Sequence, residues 1–159
     1  MRIGIGVDTH QLVSGRPFIL GGVTIPSEKG PLGHSDADVL THSIMDAILG
    51  ALALGTIGDF FPDTDPNYKD ADSMQLLTEV VKRMSAEGYM IGNVDTMVIV
   101  ESPKLAPHIV AMRDRLSEVL HTTREQVSIK GTRSEQMGFI GRGEGITAHA
   151  VVLLNKSDD

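Results

Sequence analysis

The first ten residues, Met1-Arg-Ile-Gly-Ile-Gly-Val-Asp8-Thr-His10, constrain this chain more than any other stretch. Ile3, Ile5 and Val7 alternate with Gly4, Gly6, Asp8 and His10. A period of two is that of a β-strand, so Asp8 and His10 share one face and the aliphatic residues take the other. The next strong pattern is helical, from Asp36 to Leu54, where Asp38, His42 and Asp46 form a polar stripe on an otherwise apolar helix. One carboxylate and two imidazoles on a strand and a helix (Asp8, His10, His42) make a three-ligand zinc set with a fourth position for substrate. Asp38 or Asp46, one turn from His42, is placed to hold its spare ring nitrogen and fix its tautomer. Taken singly, each residue has a plainer reading, as a strand end, a loop start or a satisfied core histidine. Three polar groups able to converge are harder to dismiss, because each needs a partner when buried.

A formal net charge of −7 over 159 residues argues against a general nucleic-acid binder, which needs a basic face. It also means that a phosphate substrate has to be drawn in by local cations: metals, helix N-termini and a few placed Lys or Arg. Cysteine is absent, so disulfides and thiolate ligands are excluded and any metal must use His and carboxylate. No basic region followed by an apolar run opens the chain, and no stretch approaches a membrane span. The expected location is therefore the cytoplasm. The length fits one domain over 1–156 with a polar tail at 157–159.

Downstream, Pro17 to Pro26 reads as a small hairpin turning at Gly21-Gly22. Ser35 or Asp36 is the expected N-cap of the first helix, which sets His34 and Ser35 beside free N–H groups where an anion is favoured. Thr56 to Pro66 is a stiff acidic loop, polar enough to carry function. Asp72-Ser73 caps a second helix with Met74, Leu77, Val81 and Met84 on one face and Gly88 as its stop. Gly92 to Glu101 reads as a central strand, a third helix starts near Pro107, and Gln126–Lys130 and Ile146–Leu154 are further strands. Between those two strands, Gly131 to Gly145 mixes glycines with Arg133, Glu135, Arg142 and Glu144, a composition that brings backbone close to a ligand or neighbour. The order β, hairpin, α, α, β, α, β, β gives an α+β fold in two layers, a mixed sheet with helices on one face. Neither a Rossmann fingerprint nor a P-loop is present.

Four segments together carry a resemblance: Asp8-Thr-His10, Gly33-His34-Ser35-Asp36-x-Asp38-x-x-x-His42, Gly58 to Pro66 (Gly-Asp-Phe-Phe-Pro-Asp-Thr-Asp-Pro), and Gly141-Arg-Gly-Glu-Gly145. From Met1 to about Lys156 the chain resembles the 2-C-methyl-D-erythritol 2,4-cyclodiphosphate synthases. The resemblance implies a homotrimeric lyase of the non-mevalonate isoprenoid route. Its members convert 4-diphosphocytidyl-2-C-methyl-D-erythritol 2-phosphate into the cyclic diphosphate and CMP. It implies zinc on Asp8, His10 and His42, and a second divalent cation, magnesium or manganese, on Glu135 and the substrate phosphates. His34 and Ser35 would position the methylerythritol phosphate, with His34 stabilising the transition state. Thr56, Ile57 and Gly58, with Phe61, Pro62, Asp63, Thr64 and Asp65, would contact the substrate on one side. Lys104, Thr132 and neighbouring backbone, Ser134 included, would form the cytidine pocket donated by the adjacent subunit, and Arg133 would stand at the catalytic position that stabilises the reacting phosphates. Phe139 and Arg142 would lie near the trimer axis, beside an apolar cavity able to take an isoprenoid diphosphate.

Two positions depart from the family pattern. Thr56 stands where Asp is common, losing a carboxylate contact to the ribose. Arg133 stands where Thr is common; it either serves the reacting phosphates with a stronger charge or points to solvent. Two other classes share the metal residues. A metal-dependent phosphohydrolase would give no cyclic product, and a non-catalytic trimer binding isoprenoid diphosphates would be favoured by lost ligands, of which there are none. In the synthase reaction the substrate's own phosphate attacks, so the site supplies alignment and charge neutralisation rather than a nucleophile.

Overall fold

A computed structural model of the chain describes residues 1–157; Asp158 and Asp159, the end of the expected tail, lie outside the described residues. The long strand β1 (Arg2–Ser14) is followed by β2 (Phe18–Leu20), β3 (Val23–Ile25) and β4 (Lys29–Pro31). Helices α1 (Val39–Ala51), α2 (Ile57–Phe60) and α3 (Ser73–Ala86) come next. Then β5 (Tyr89–Ile99), α4 (Ile109–Val119), β6 (Val127–Thr132), α5 (Gly138–Gly141) and β7 (Gly145–Lys156) complete the chain. The main sheet runs β4-β1-β7-β5-β6. Among the described residues only β5 and β6 pair in parallel, so the sheet is mixed as expected. The hairpin β2–β3 stands apart and turns at Gly21 and Gly22, both at positive φ (55° and 73°), as a two-residue turn of this hand requires.

The three longer helices bury Leu40, Ile44, Ile48, Leu77, Met84, Met112 and Leu116 in one core with Val94, Val98, Ala148, Val152 and Leu154 of the sheet. Asp8 and His10 do share a face of β1, but the glycines on that face are what meets the core. A Cβ on Gly4 would fall 1.9 Å from the Ala47 carbonyl oxygen, and one on Gly6 1.9 Å from that of Ser43. Helix α1 therefore rests directly on the main chain of β1. The aliphatic face is turned outward instead, with Ile3 71%, Ile5 67% and Val7 48% exposed.

The first helix starts later than its periodicity suggests. Asp38, not Ser35 or Asp36, is the N-cap, because Ala37 sits at φ 58° and interrupts the helical run. The Asp38 carboxylate is fully buried and accepts four hydrogen bonds, from Thr41 N and Oγ1 and from the Gly21 and Gly22 N–H groups. It thereby pins the hairpin turn to the helix start. Strand β5 begins at Tyr89, earlier than expected, and absorbs Gly92 in a bulge between Ile91 and Asn93. Among the described residues no helix is long and apolar enough to cross a membrane.

Candidate active site

Because α1 rests on β1, the candidate metal residues of both elements meet. Asp8 Oδ2 lies 2.9 Å from His10 Nε2 and 3.0 Å from His42 Nδ1. One ligand atom from each of the three falls within 4.8 Å of the others. The opposite ring nitrogens are taken. His10 Nδ1 is 2.7 Å from the Leu32 carbonyl, which can only accept, so Nδ1 carries the hydrogen and Nε2 is left for a metal. His42 Nε2 is 2.9 Å from Ser73 Oγ, whose own hydrogen goes to Asp36 Oδ1 at 2.5 Å. Ser73 thus presents a lone pair, His42 Nε2 carries the hydrogen, and Nδ1 is free. Both tautomers are set for the three-ligand reading.

The expected holders of His42, Asp38 and Asp46, do other work. Asp38 caps α1, and Asp46 accepts the Ile57 N–H at 2.7 Å, joining α1 to α2. Burial pushes the Asp46 carboxyl above its usual range, even against that hydrogen bond. Ser73 and Asp36 take the role instead, across 31 and 37 residues of sequence. Burial also opposes the charge on Asp8, but hydrogen bonds with His10 and His42 and their attraction outweigh it, lowering its pKa from 3.8 to about 2. For His10, burial opposes the charged form and the Asp8 hydrogen bond and charge prevail, raising its pKa above 6.5.

A cavity of about 440 Å³ opens beside the set, lined by Asp8, His10, His34, Ser35, His42, Ile57, Gly58, Phe61 and Asp63 among the expected residues. Leu32, Gly33, Tyr68 and Leu76 complete the wall without having been foreseen. Tyr68 packs edge-on against Phe61, with ring centroids 5.4 Å apart. Pro62, Thr64 and Asp65 lie off the wall, though the Asp65 carbonyl accepts from His34 Nε2 at 3.0 Å. Thr56 is also off the wall: its N–H and hydroxyl both donate to Asp59, at 2.8 and 3.1 Å, and cap α2.

The other expected residues lie elsewhere on the chain. Lys104, Thr132 and Arg133 line a separate cavity of about 260 Å³ with Glu101, Pro103 and Leu105. Ser134 is fixed near it by donating its N–H to Glu101 at 2.6 Å. Glu135 is exposed and, like Gln136 after it, holds a left-handed backbone (φ 51° and 63°). Phe139 covers Gly145 in a small cavity shared with Thr9, His10 and Glu144, and Arg142 pairs with Glu144 at 2.8 Å.

A mixed-sheet α+β fold with two histidines and a carboxylate converging beside a cleft defines a class of small proteins able to seat a divalent metal next to a ligand. More particularly, the chain belongs to the YgbB family, whose profile matches residues 1–155. The 2-C-methyl-D-erythritol 2,4-cyclodiphosphate synthase of Pelobacter propionicus is 59% identical over 154 residues, covering 97% of this chain and 98% of that one. The bifunctional IspDF from Campylobacter jejuni is similar in structure, with a TM-score of 0.95 at 40% identity; 99% of this chain is covered, but only 42% of that longer one. A 2C-methyl-D-erythritol-2,4-cyclodiphosphate synthase solved in its CDP-bound form gives a TM-score of 0.89 at 38% identity, covering 97% of this chain and all of that one.

Proposed function

We propose that this chain converts 4-diphosphocytidyl-2-C-methyl-D-erythritol 2-phosphate into 2-C-methyl-D-erythritol 2,4-cyclodiphosphate, releasing CMP, in the non-mevalonate isoprenoid pathway. An oxygen of the substrate's 2-phosphate attacks the β-phosphorus, and the bond from that phosphorus to the CMP oxygen breaks. One observation carries the reading: Asp8, His10 and His42 converge in the same cavity as His34 and Ser35. The relatives named for this reaction support it over nearly their whole length.

The set Asp8, His10 and His42 suits zinc, being two imidazoles and a carboxylate with both outer nitrogens already committed. When bound, zinc supplies positive charge to phosphate oxygens on a chain that is otherwise acidic. His34, held by the Asp65 carbonyl, and Ser35 orient the methylerythritol phosphate. Glu135 takes the second cation, magnesium or manganese, together with substrate phosphates. Its strained backbone is what a residue displayed for a ligand tolerates. Lys104, Thr132 and Arg133 receive the cytidine diphosphate end. They line a different cavity from the metal set, and the two halves of the site meet across subunits of a homotrimer. The open aliphatic face of β1, with Ile3, Ile5 and Val7 exposed side by side, supports such an assembly as an apolar surface that a neighbouring subunit would cover. Phe139 and Arg142 belong to an axial cavity for an isoprenoid diphosphate, residues 1–156 form one synthase domain, and the cytoplasm is the expected compartment.

Incubation with the cytidyl substrate, zinc and magnesium tests the reading by phosphorus NMR. A cyclic diphosphate and CMP are expected. Orthophosphate or an open-chain product would make the chain a phosphohydrolase, and no turnover would return it to a binding protein.

A further inference from the structure

Arg16 lies in the turn between β1 and β2, half-buried, and enters none of the ion pairs of the described residues. Its guanidinium donates instead to three main-chain carbonyls. Nε reaches Pro31 O at 3.1 Å, and Nη2 reaches Ser35 O at 3.1 Å and Gly33 O at 3.5 Å. A guanidinium is a planar fork of five donors usually matched to a carboxylate or phosphate. Here the fork spans five residues of main chain that belong, after Pro31, to no helix or strand.

The carbonyls it holds alternate with the groups that face the site. Leu32 O receives the hydrogen of His10 Nδ1 at 2.7 Å. His34 lines the cavity, and Ser35 Oγ lies 3.2 Å from His42 Nε2. Gly33 passes so close to His10 that a Cβ there would stand 2.9 Å from the ring. A small shift of this segment therefore moves a metal-facing tautomer and two phosphate-facing side chains together. Beyond the pairing of β4, main-chain bonds among the described residues hold the segment only at Leu32, whose N–H donates to Gln11 O at 2.8 Å, and at His34, whose carbonyl accepts from Asp70 N at 2.8 Å, so the Pro31, Gly33 and Ser35 carbonyls depend on Arg16.

We propose that Arg16 is a positioning residue for the reaction, its fork holding the main chain of Pro31 to Ser35 in the register that sets His34 and Ser35 against the substrate phosphates. The inference rests on the synthase reading for what those residues contact. The fork, rather than the charge, does the positioning, so lysine does not replace it: an ammonium is a point charge unable to span Pro31 O and Ser35 O in one plane.

The test compares wild type, Arg16→Ala and Arg16→Lys by steady-state kinetics on the cytidyl substrate and by hydrogen exchange. Both variants should lose tenfold or more in kcat with KM nearly unchanged, since misplacement is felt most in the transition state. Peptides covering 31–36 should exchange faster, with α1 and β7 unaltered, and free guanidinium ion at millimolar levels should restore part of the Arg16→Ala activity. Full kcat in Arg16→Lys would overturn the proposal. So would an Arg16→Ala loss that tracks thermal stability and vanishes on cooling. Should Arg16→Ala not fold, Arg16→Lys beside Arg16→Gln carries the same comparison. An inactive wild type would remove the synthase reading, while the exchange measurement, which needs no turnover, would still decide whether the fork holds the segment.

Discussion

Ala37 sits at φ 58° between two aspartates that serve different partners, Asp36 towards Ser73 and Asp38 towards the hairpin turn. A left-handed backbone strains a residue with a Cβ by about 1–2 kcal/mol. Ala37→Gly removes that strain but gives the unfolded chain more freedom, so a net gain of up to about 1 kcal/mol is expected. A higher urea midpoint at constant slope would register it, whereas a lower one would mean that the Ala37 methyl packs usefully. Ser73 carries a second prediction. Its hydroxyl is the link between His42 Nε2 and Asp36, and removing it frees the ring to turn or change tautomer. Ser73→Ala should weaken zinc by about 10–100-fold in chelator competition, with the fold kept. His42→Ala should lose the zinc altogether. Equal zinc affinity in wild type and Ser73→Ala would exclude Ser73 from the metal's surroundings.

Between elements, the contact that matters most is α1 on β1. A methyl on Gly6 would enter the Ser43 carbonyl at 1.9 Å, next to His42, and neither backbone can give way cheaply. Gly6→Ala should destabilise by about 3 kcal/mol or more in urea unfolding and lower zinc occupancy of the protein that still folds. An unchanged midpoint would mean that the two elements can part without consequence. The elements themselves were largely legible, because hydrophobic periodicity marks α1, α3, α4 and the strands. What escaped depends on distant partners. The strand β4, Lys29-Gly30-Pro31, has no strand-forming residue and exists only by pairing with Leu12 to Ser14 of β1. The start of α1 was misplaced because Ser35, Asp36 and Asp38 are all good caps locally, and tertiary contacts divert the first two to His42 and Ser73. The same long reach hid Ser73: its position at the start of a helix was plain, but nothing nearby in sequence links it to His42. The three candidate metal residues were legible because the strand and helix periods fix their faces.

For the whole molecule, the reading of a site shared between subunits can be tested without a structure of the assembly. His42→Ala disables the metal half, and a bulky replacement of Thr132 disables the nucleotide half; each alone should be nearly inactive. Unfolded together in equal amounts and reassembled, random trimers bring two intact halves together at about a quarter of their interfaces. Activity near that fraction of wild type is expected, and a mixture as inactive as its parents, despite proven subunit exchange, would place the site within one chain. The bare contact between α1 and β1 bears on how such a protein can change over time. Side-chain packing is adjustable, and swapping one aliphatic residue for another moves its neighbours by fractions of an ångström. Where main chain meets main chain there is nothing to swap, so the spacing acts as a gauge block, indifferent to the tolerances of the parts around it. Asp8 and His42, mounted on the two gauged elements, can keep their 3.0 Å approach while the aliphatic interior drifts through many sequences.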